Sequence, residues 1–422
     1  MVLALILFII MYVFLLAKPD YRWITALVTA AVFVILGILP ISEVLPAVNW
    51  NILLMLSGTM LAVELFIQSH MPMRLAELLL KVSPNVCWAV IGLSLFSGFI
   101  SAFVDNVATV LMLAPIGLAV SKKLGCNPIP IIISISVSSN LQGAATLVGD
   151  TTSILLGEYA GMSFNDFFWF LGRPGIFFAV ELGALMTVPV LRFIFRKEKG
   201  KVDQKVETVV TDYVPSFLLI GIVGGLIFAS QFENKPELTN GFICMGIALI
   251  GVIYERFVHP ATFDKQAVVS SIDYQTLLLL AGLFIVIQGI TEAGVIAAIA
   301  DLFVKIGGQS EFVMYTLITV ASVIISAFVD NIPYVATMLP VVQGVAMTMG
   351  IEPYVLYFGL LIGATLGGNL TPVGASANIA ATGILNKNGY EVKNSDFFKI
   401  GIPFTLVAVL SGYAFIWLFW GE

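Results

Sequence analysis

The hexapeptide SAFVDN occupies positions 101–106 and returns unchanged at 326–331. Each copy lies inside a long apolar stretch, 88–120 and 313–345, so an aspartate is placed in oily surroundings twice. A carboxylate there is costly unless it is protonated, paired or bound to a cation. The repeat extends well beyond six letters. A shift of 225 lays SAFVDNVATVLMLAP (101–115) on SAFVDNIPYVATMLP (326–340), and GAATLVGDTTSI (143–154) on GNLTPVGASANI (368–379). A shift of 224 lays NWNILLMLSG (49–58) on DYQTLLLLAG (273–282). One ancestral unit is therefore used twice, over 1–200 and 201–422.

Composition sets the surroundings. Of 422 residues, 59% are hydrophobic and 11% charged, and the mean hydropathy is +1.01. Soluble domains carry about 25% charged residues, so the chain reads as an all-α polytopic membrane protein. The net charge of −6 and the lack of a Lys/Arg-rich block exclude a nucleic-acid surface. Cys87, Cys126 and Cys244 have no metal-ligand spacing and read as lipid-packed thiols. His70 and His259 read as interfacial imidazoles, and all six tryptophans as belt residues at span ends. The N-terminal MVLALILFIIMYVFLLA lacks a basic region and a cleavage site, so it is expected to be a retained first span.

A helical span needs roughly 20 apolar residues. Ten segments qualify: about 1–17, 22–39, 50–69, 128–157, 172–195, 213–231, 238–257, 273–291, 351–385 and 397–419. The stretches 88–120 and 313–345 break near their middles into arms of about 13 to 16 residues, short of a crossing. Each is expected to be a re-entrant hairpin. With the first span running inward, seventeen Lys and Arg, among them Arg22, Lys201 and Lys205, collect inside, and only Arg173, Lys235 and Lys305 stay outside. That positive-inside bias puts both termini outside. Each unit has five full spans, so the second is expected to be inverted relative to the first, the arrangement of many secondary transporters.

Segments 128–157 and 351–385 are too long for one crossing and carry Gly, Thr and Pro at their centres. They read as broken helices, with Pro372 removing a donor and Gly149 and Gly374 permitting turns. Two hairpin tips and two broken helices are expected to converge at mid-membrane, where such interruptions mark a binding site. No Lys or Arg lies within these four segments, so the expected partner of Asp105 and Asp330 is a mobile cation, Na⁺ or H⁺, with Asn106 and Asn331 beside it. The alternative is that the two aspartates only cap the second hairpin arms. Asp150 adds a carboxylate that the second copy replaces with Ala375. Helix N-termini near Val107, Ile332, Thr151 and Ala377 could hold an anion. Ser101, Thr109, Thr146, Thr151, Ser326, Thr371, Ser376 and Asn378 add groups able to bind either sign.

The doubled SAFVDN and GNLTPVGASAN motifs resemble the ion-transporter superfamily over about residues 20–419, in the branch of arsenite permeases, NhaD-type sodium/proton antiporters and the melanosomal P protein. Citrate and dicarboxylate carriers are more distant members. The resemblance implies a homodimer with a scaffold and a mobile transport domain moving in an elevator-like way. It places ion and substrate sites at Ser101, Asp105, Asn106, Thr146, Gly149 and Asp150, and at Ser326, Asp330, Asn331, Thr371, Gly374 and Asn378. Sodium-coupled dicarboxylate carriers have Ser-Asn-Thr at the hairpin tips, where this chain has Asp-Asn-Val and Asp-Asn-Ile.

The function expected is secondary transport of a small inorganic ion coupled to or exchanged with Na⁺ or H⁺, with Na⁺/H⁺ antiport ahead of arsenite or another oxyacid, and carboxylates third. The lack of a basic residue in the site motifs argues against a multivalent anion. An intramembrane aspartyl protease using Asp105 and Asp150 lacks the Gly-x-Gly-Asp signature, and a passive channel fits two unequal halves poorly. No nucleotide-binding loop and no cofactor are expected within this chain.

Overall fold

The computed structural model describes residues 1–200, 207–232, 234–260 and 263–422. Lys201 and Lys205 lie outside the described residues. Among the latter, six helices are long and apolar enough to cross a membrane, or seven when one bent pair is taken as a span. Among the described residues the one strand pairing is a ribbon of two residues a side, in which Trp169–Phe170 pairs antiparallel with Arg173–Pro174. Leu171 and Gly172 make its turn, both at positive φ.

Both SAFVDN stretches form helical hairpins. The first pairs Val86–Ser101 with Asn106–Leu124, the second Glu311–Ser326 with Asn331–Met349. The return arms have 19 residues, longer than the sequence led us to expect, and Asn331–Met349 is long enough to cross. The difference lies at the polar ends. Ser121, Lys122 and Lys123 end the apolar run but not the helix, which stops only at Gly125, a left-handed cap repeated at Gly350. Two further helices, Met71–Val82 and Val295–Gly307, precede the hairpins and were not among the expected spans. They are only 12 and 13 residues long, too short to cross. Val295–Gly307 meets the first arm of its hairpin at 115°.

The two long segments are broken as expected. Pro128–Gln142 and Thr151–Tyr159 are separated by an irregular stretch around Gly143–Ala145. In the second copy, Tyr354–Leu361 widens into a π-helical turn, Ile362–Leu366, before the break and the restart at Ser376–Lys387. Neither Gly149 nor Gly374 has a positive φ, so turning freedom is not what they supply. They supply room. A Cβ on Gly149 would stand 2.5 Å from Gly143 O and 2.8 Å from the carbonyls of Ser101 and Ala102. A Cβ on Gly374 would stand 2.6 Å from Gly368 O and 2.8 Å from those of Ser326 and Ala327. Thr146 Oγ1 donates to Ala102 O, and Thr371 Oγ1 to Ala327 O, so each hairpin turn is pinned to its broken helix by the same pair of residues.

The outer helices pack in matching pairs. Trp50–Gln68 lies so close to Thr239–Val258 that a Cβ on Gly58 would meet the Cys244 backbone at 2.4 Å. Tyr274–Glu292 lies nearly as close to Arg22–Ile35, where a Cβ on Gly282 would meet the Ala26 backbone at 2.8 Å. Cys87 and Cys244 are buried against protein rather than lipid. Trp420 is also buried, stacked on Phe170 and donating from Nε1 to Pro174 O, which removes it from the expected belt. Arg173 sits over its ring. His259, half-buried at the end of Thr239–Val258, has acidic neighbours. It faces Glu255 at 3.7 Å, and ligand atoms of Asp212, Glu255 and His259 lie within 4.8 Å of one another.

Candidate functional site

Hairpin tips and helix breaks meet around a cavity of about 480 Å³. Of the residues expected at the site, Asp105, Asn106, Asp150, Thr151, Asp330, Asn331 and Ser376 line it. Ser101, Thr109, Thr146, Gly149, Ser326, Thr371, Gly374 and Asn378 do not, and all are buried behind it. Ser101 Oγ and Thr109 Oγ1 have no hydrogen-bond partner among the described residues. Ser326 Oγ, the counterpart of Ser101, donates to Ala364 O at 2.6 Å.

Capping explains part of each aspartate. Asp105 Oδ2 accepts from the backbone N–H of Val107 (2.9 Å) and Ala108 (3.1 Å), and Asp330 Oδ1 accepts from Ile332 N (3.1 Å). Beyond that the two differ. Asp330 Oδ2 accepts from Ser376 Oγ at 2.8 Å and from Arg22 Nη1 at 3.0 Å. The expectation that no basic side chain reaches the tips is therefore wrong for Asp330. Arg22 starts a helix 308 residues away in sequence, and only folding brings it there.

A chain of amides joins the two copies. Asn106 Nδ2 donates to Asn140 Oδ1 (3.0 Å) and Asp150 Oδ2 (3.3 Å). Asn140 Nδ2 donates to Thr365 O (2.7 Å) and Asn369 Oδ1 (3.1 Å), and Asn369 Nδ2 donates to Val137 O (2.9 Å). Asn331, with its amide nitrogen toward the Ala364 and Gly374 carbonyls, ties the second tip to its own broken helix. Ser136 Oγ donates to Asn378 Oδ1 at 2.6 Å, again across the copies. Asn140 and Asn369 are fully buried and were not singled out in the sequence. One signal was available: Asn140 lies 225 residues before Thr365, whose carbonyl it bonds.

Charge is one-sided. The lining includes five carboxylates, Glu64, Asp105, Asp150, Asp273 and Asp330, and no Lys, Arg or His. Arg22 borders a smaller adjoining cavity of about 170 Å³ that shares Asp273, Thr276, Asp330, Ile332 and Ser376 with the larger one. Carboxylates and amide oxygens, with waters, are the ligands of hard cations, and mutual repulsion of the acids favours an ion or proton among them.

A helical membrane protein with broken helices and hairpin tips gathered on one polar cavity has the form of a transporter. The chain matches the family described as "Citrate transporter" over residues 6–363, and it belongs to that family. It is 30% identical to the 46 kDa membrane protein of Mycobacterium leprae over 99% of this chain and 98% of that one. The P protein of Mus musculus is 24% identical over 93% of this chain and 56% of its own length. The crystal structure of the Alcanivorax borkumensis YdaH transporter superposes with a TM-score of 0.62 at 14% identity, covering 94% of this chain and 97% of that one. The chain is thus a membrane transporter in fold and family.

Proposed function

We propose that the protein is a secondary transporter that couples movement of a small ion to Na⁺ or H⁺, with Na⁺/H⁺ exchange the leading reading. The observation that carries it is the cavity lined by five carboxylates, of which only Asp330 is ion-paired among the described residues, to Arg22. Asp105 and Asp150, joined through Asn106, hold the cation, and the buried cost of their charges is offset while it is bound. The two copies of the tip, inverted across the bilayer, act as gates of one alternating-access site. A second reading, carboxylate cargo carried with the cation, is favoured by the description of the matching family and by Arg22, which removes the earlier objection that the site lacks a basic group.

Purified protein in liposomes with a trapped pH dye tests both. Cation-driven proton movement on adding Na⁺, Li⁺ or K⁺, abolished by Asp105→Asn, supports exchange. Proton or Na⁺ movement only when citrate or another carboxylate is added supports the second reading. No movement under either condition rejects cation coupling.

A further inference from the structure

We infer that Arg22 is the resident counter-cation of the second tip, occupying on Asp330 the place that stays open on Asp105, so that the chain holds one exchangeable cation at its two repeated aspartates rather than two. The inference rests on the cation reading above and deepens it.

The two aspartates have the same sequence neighbours and the same capping role, yet only one is ion-paired among the described residues. Arg22 and Asp330 are 17% and 6% exposed at their side chains, so the pair is largely out of water. A guanidinium keeps its charge at any ordinary pH. It therefore competes with a free cation for Asp330 without needing a proton to leave. Asp330 Oδ2 already accepts from Ser376 as well as Arg22, and Oδ1 from Ile332 N, which leaves little for a second ligand. Asp105 accepts from two backbone N–H groups of its own hairpin and keeps Oδ1 available to the cavity.

The repeat explains the asymmetry. Gly58 meets Cys244 where Gly282 meets Ala26, which fixes the offset between those two partner helices at 218 residues (244−26). Arg22 then corresponds to position 240, an asparagine, so the first tip has no counterpart of the guanidinium. Arg22 is held from the far side by donation from Nε to Leu15 O at 3.3 Å. Asp273, which caps the helix packed against that of Arg22, shares the smaller cavity with Arg22 and Asp330. Asp273 is thus a second carboxylate beside the guanidinium. Glu64, Asp105 and Asp150 are the other carboxylates of the joined cavities.

The test counts bound Na⁺ per chain by calorimetric titration of the full-length protein at constant ionic strength, together with protons taken up on acidification. Expected are one exchangeable cation in the wild type, two in Arg22→Gln, and one again in Arg22→Gln/Asp330→Asn, whose loss of both charges also guards the fold. Arg22→Lys, a milder change, should show the second ion at higher Na⁺ than Arg22→Gln does. An added proton in Arg22→Gln that Asp330→Asn removes supports the inference equally. The same count of ions and protons in the wild type and both Arg22 variants overturns it. A wild type that binds none while Arg22→Gln binds one rejects the cation role of Asp105 and leaves that of Arg22 standing.

Discussion

Asn140 of the first copy donates to the Thr365 carbonyl of the second at 2.7 Å, while its own Oδ1 accepts from Asn106 beside the first hairpin tip. Both groups are buried, so the bond links the two broken helices and the tip through one amide. Replacing Asn140 by Ala takes this donor from the buried Thr365 carbonyl, at a cost of about 1–3 kcal/mol, while the Asn106 amide keeps only its bond to Asp150. We expect Asn140→Ala to lower the melting temperature in detergent and to abolish transport in liposomes. Unchanged melting would show that water replaces the amide.

Asp105→Asn should keep the fold, because asparagine caps a helix about as well as aspartate. Cation-dependent flux should fall by at least about tenfold, the equivalent of 1.4 kcal/mol of lost ion binding. Flux assays alongside circular dichroism separate the two effects.

Gly149→Ala and Gly374→Ala place a Cβ within 2.5 and 2.6 Å of backbone carbonyls. Backbone cannot give way as a side chain does, so each should destabilise by about 1–3 kcal/mol or more. Equal losses of thermal stability at the two sites are expected, because their surroundings match. Wild-type stability in either variant would mean that the hairpin turn and the break are not held this closely.

Thr146→Val and Thr371→Val remove the hydroxyl that pins each hairpin turn and leave the Ala102 or Ala327 carbonyl without that donor. Each should cost about 1–3 kcal/mol, and Thr→Ser at the same positions should restore most of it. Denaturation monitored by intrinsic fluorescence is the measurement, and a Val variant as stable as its Ser counterpart would overturn the assignment.

Much of this could be read from the chain itself. A strict 225-residue offset named both hairpins, both broken helices and the two tip aspartates, because a re-used unit repeats most of its polar exceptions to an apolar background. Hydropathy expected ten spans and located five of the six helices that are long and apolar enough to cross among the described residues, since the bilayer fixes how many apolar residues a crossing needs. It failed at the margins. The short helices before each hairpin and the polar last turn of Asn106–Leu124 carry too little apolar length to register.

What the sequence determined by itself is the membrane class, the repeat and the placing of Asp105, Asp150 and Asp330 within apolar stretches. Only tertiary structure decided which of them meets a basic side chain. Arg22 reads in sequence as one more positive charge between two spans, and no repeat marks it, because its counterpart is Asn240. Packing of the Arg22–Ile35 helix against Tyr274–Glu292 brings its guanidinium to Asp330. A contact between residues 308 apart is set by helix packing, not by any local pattern in the chain.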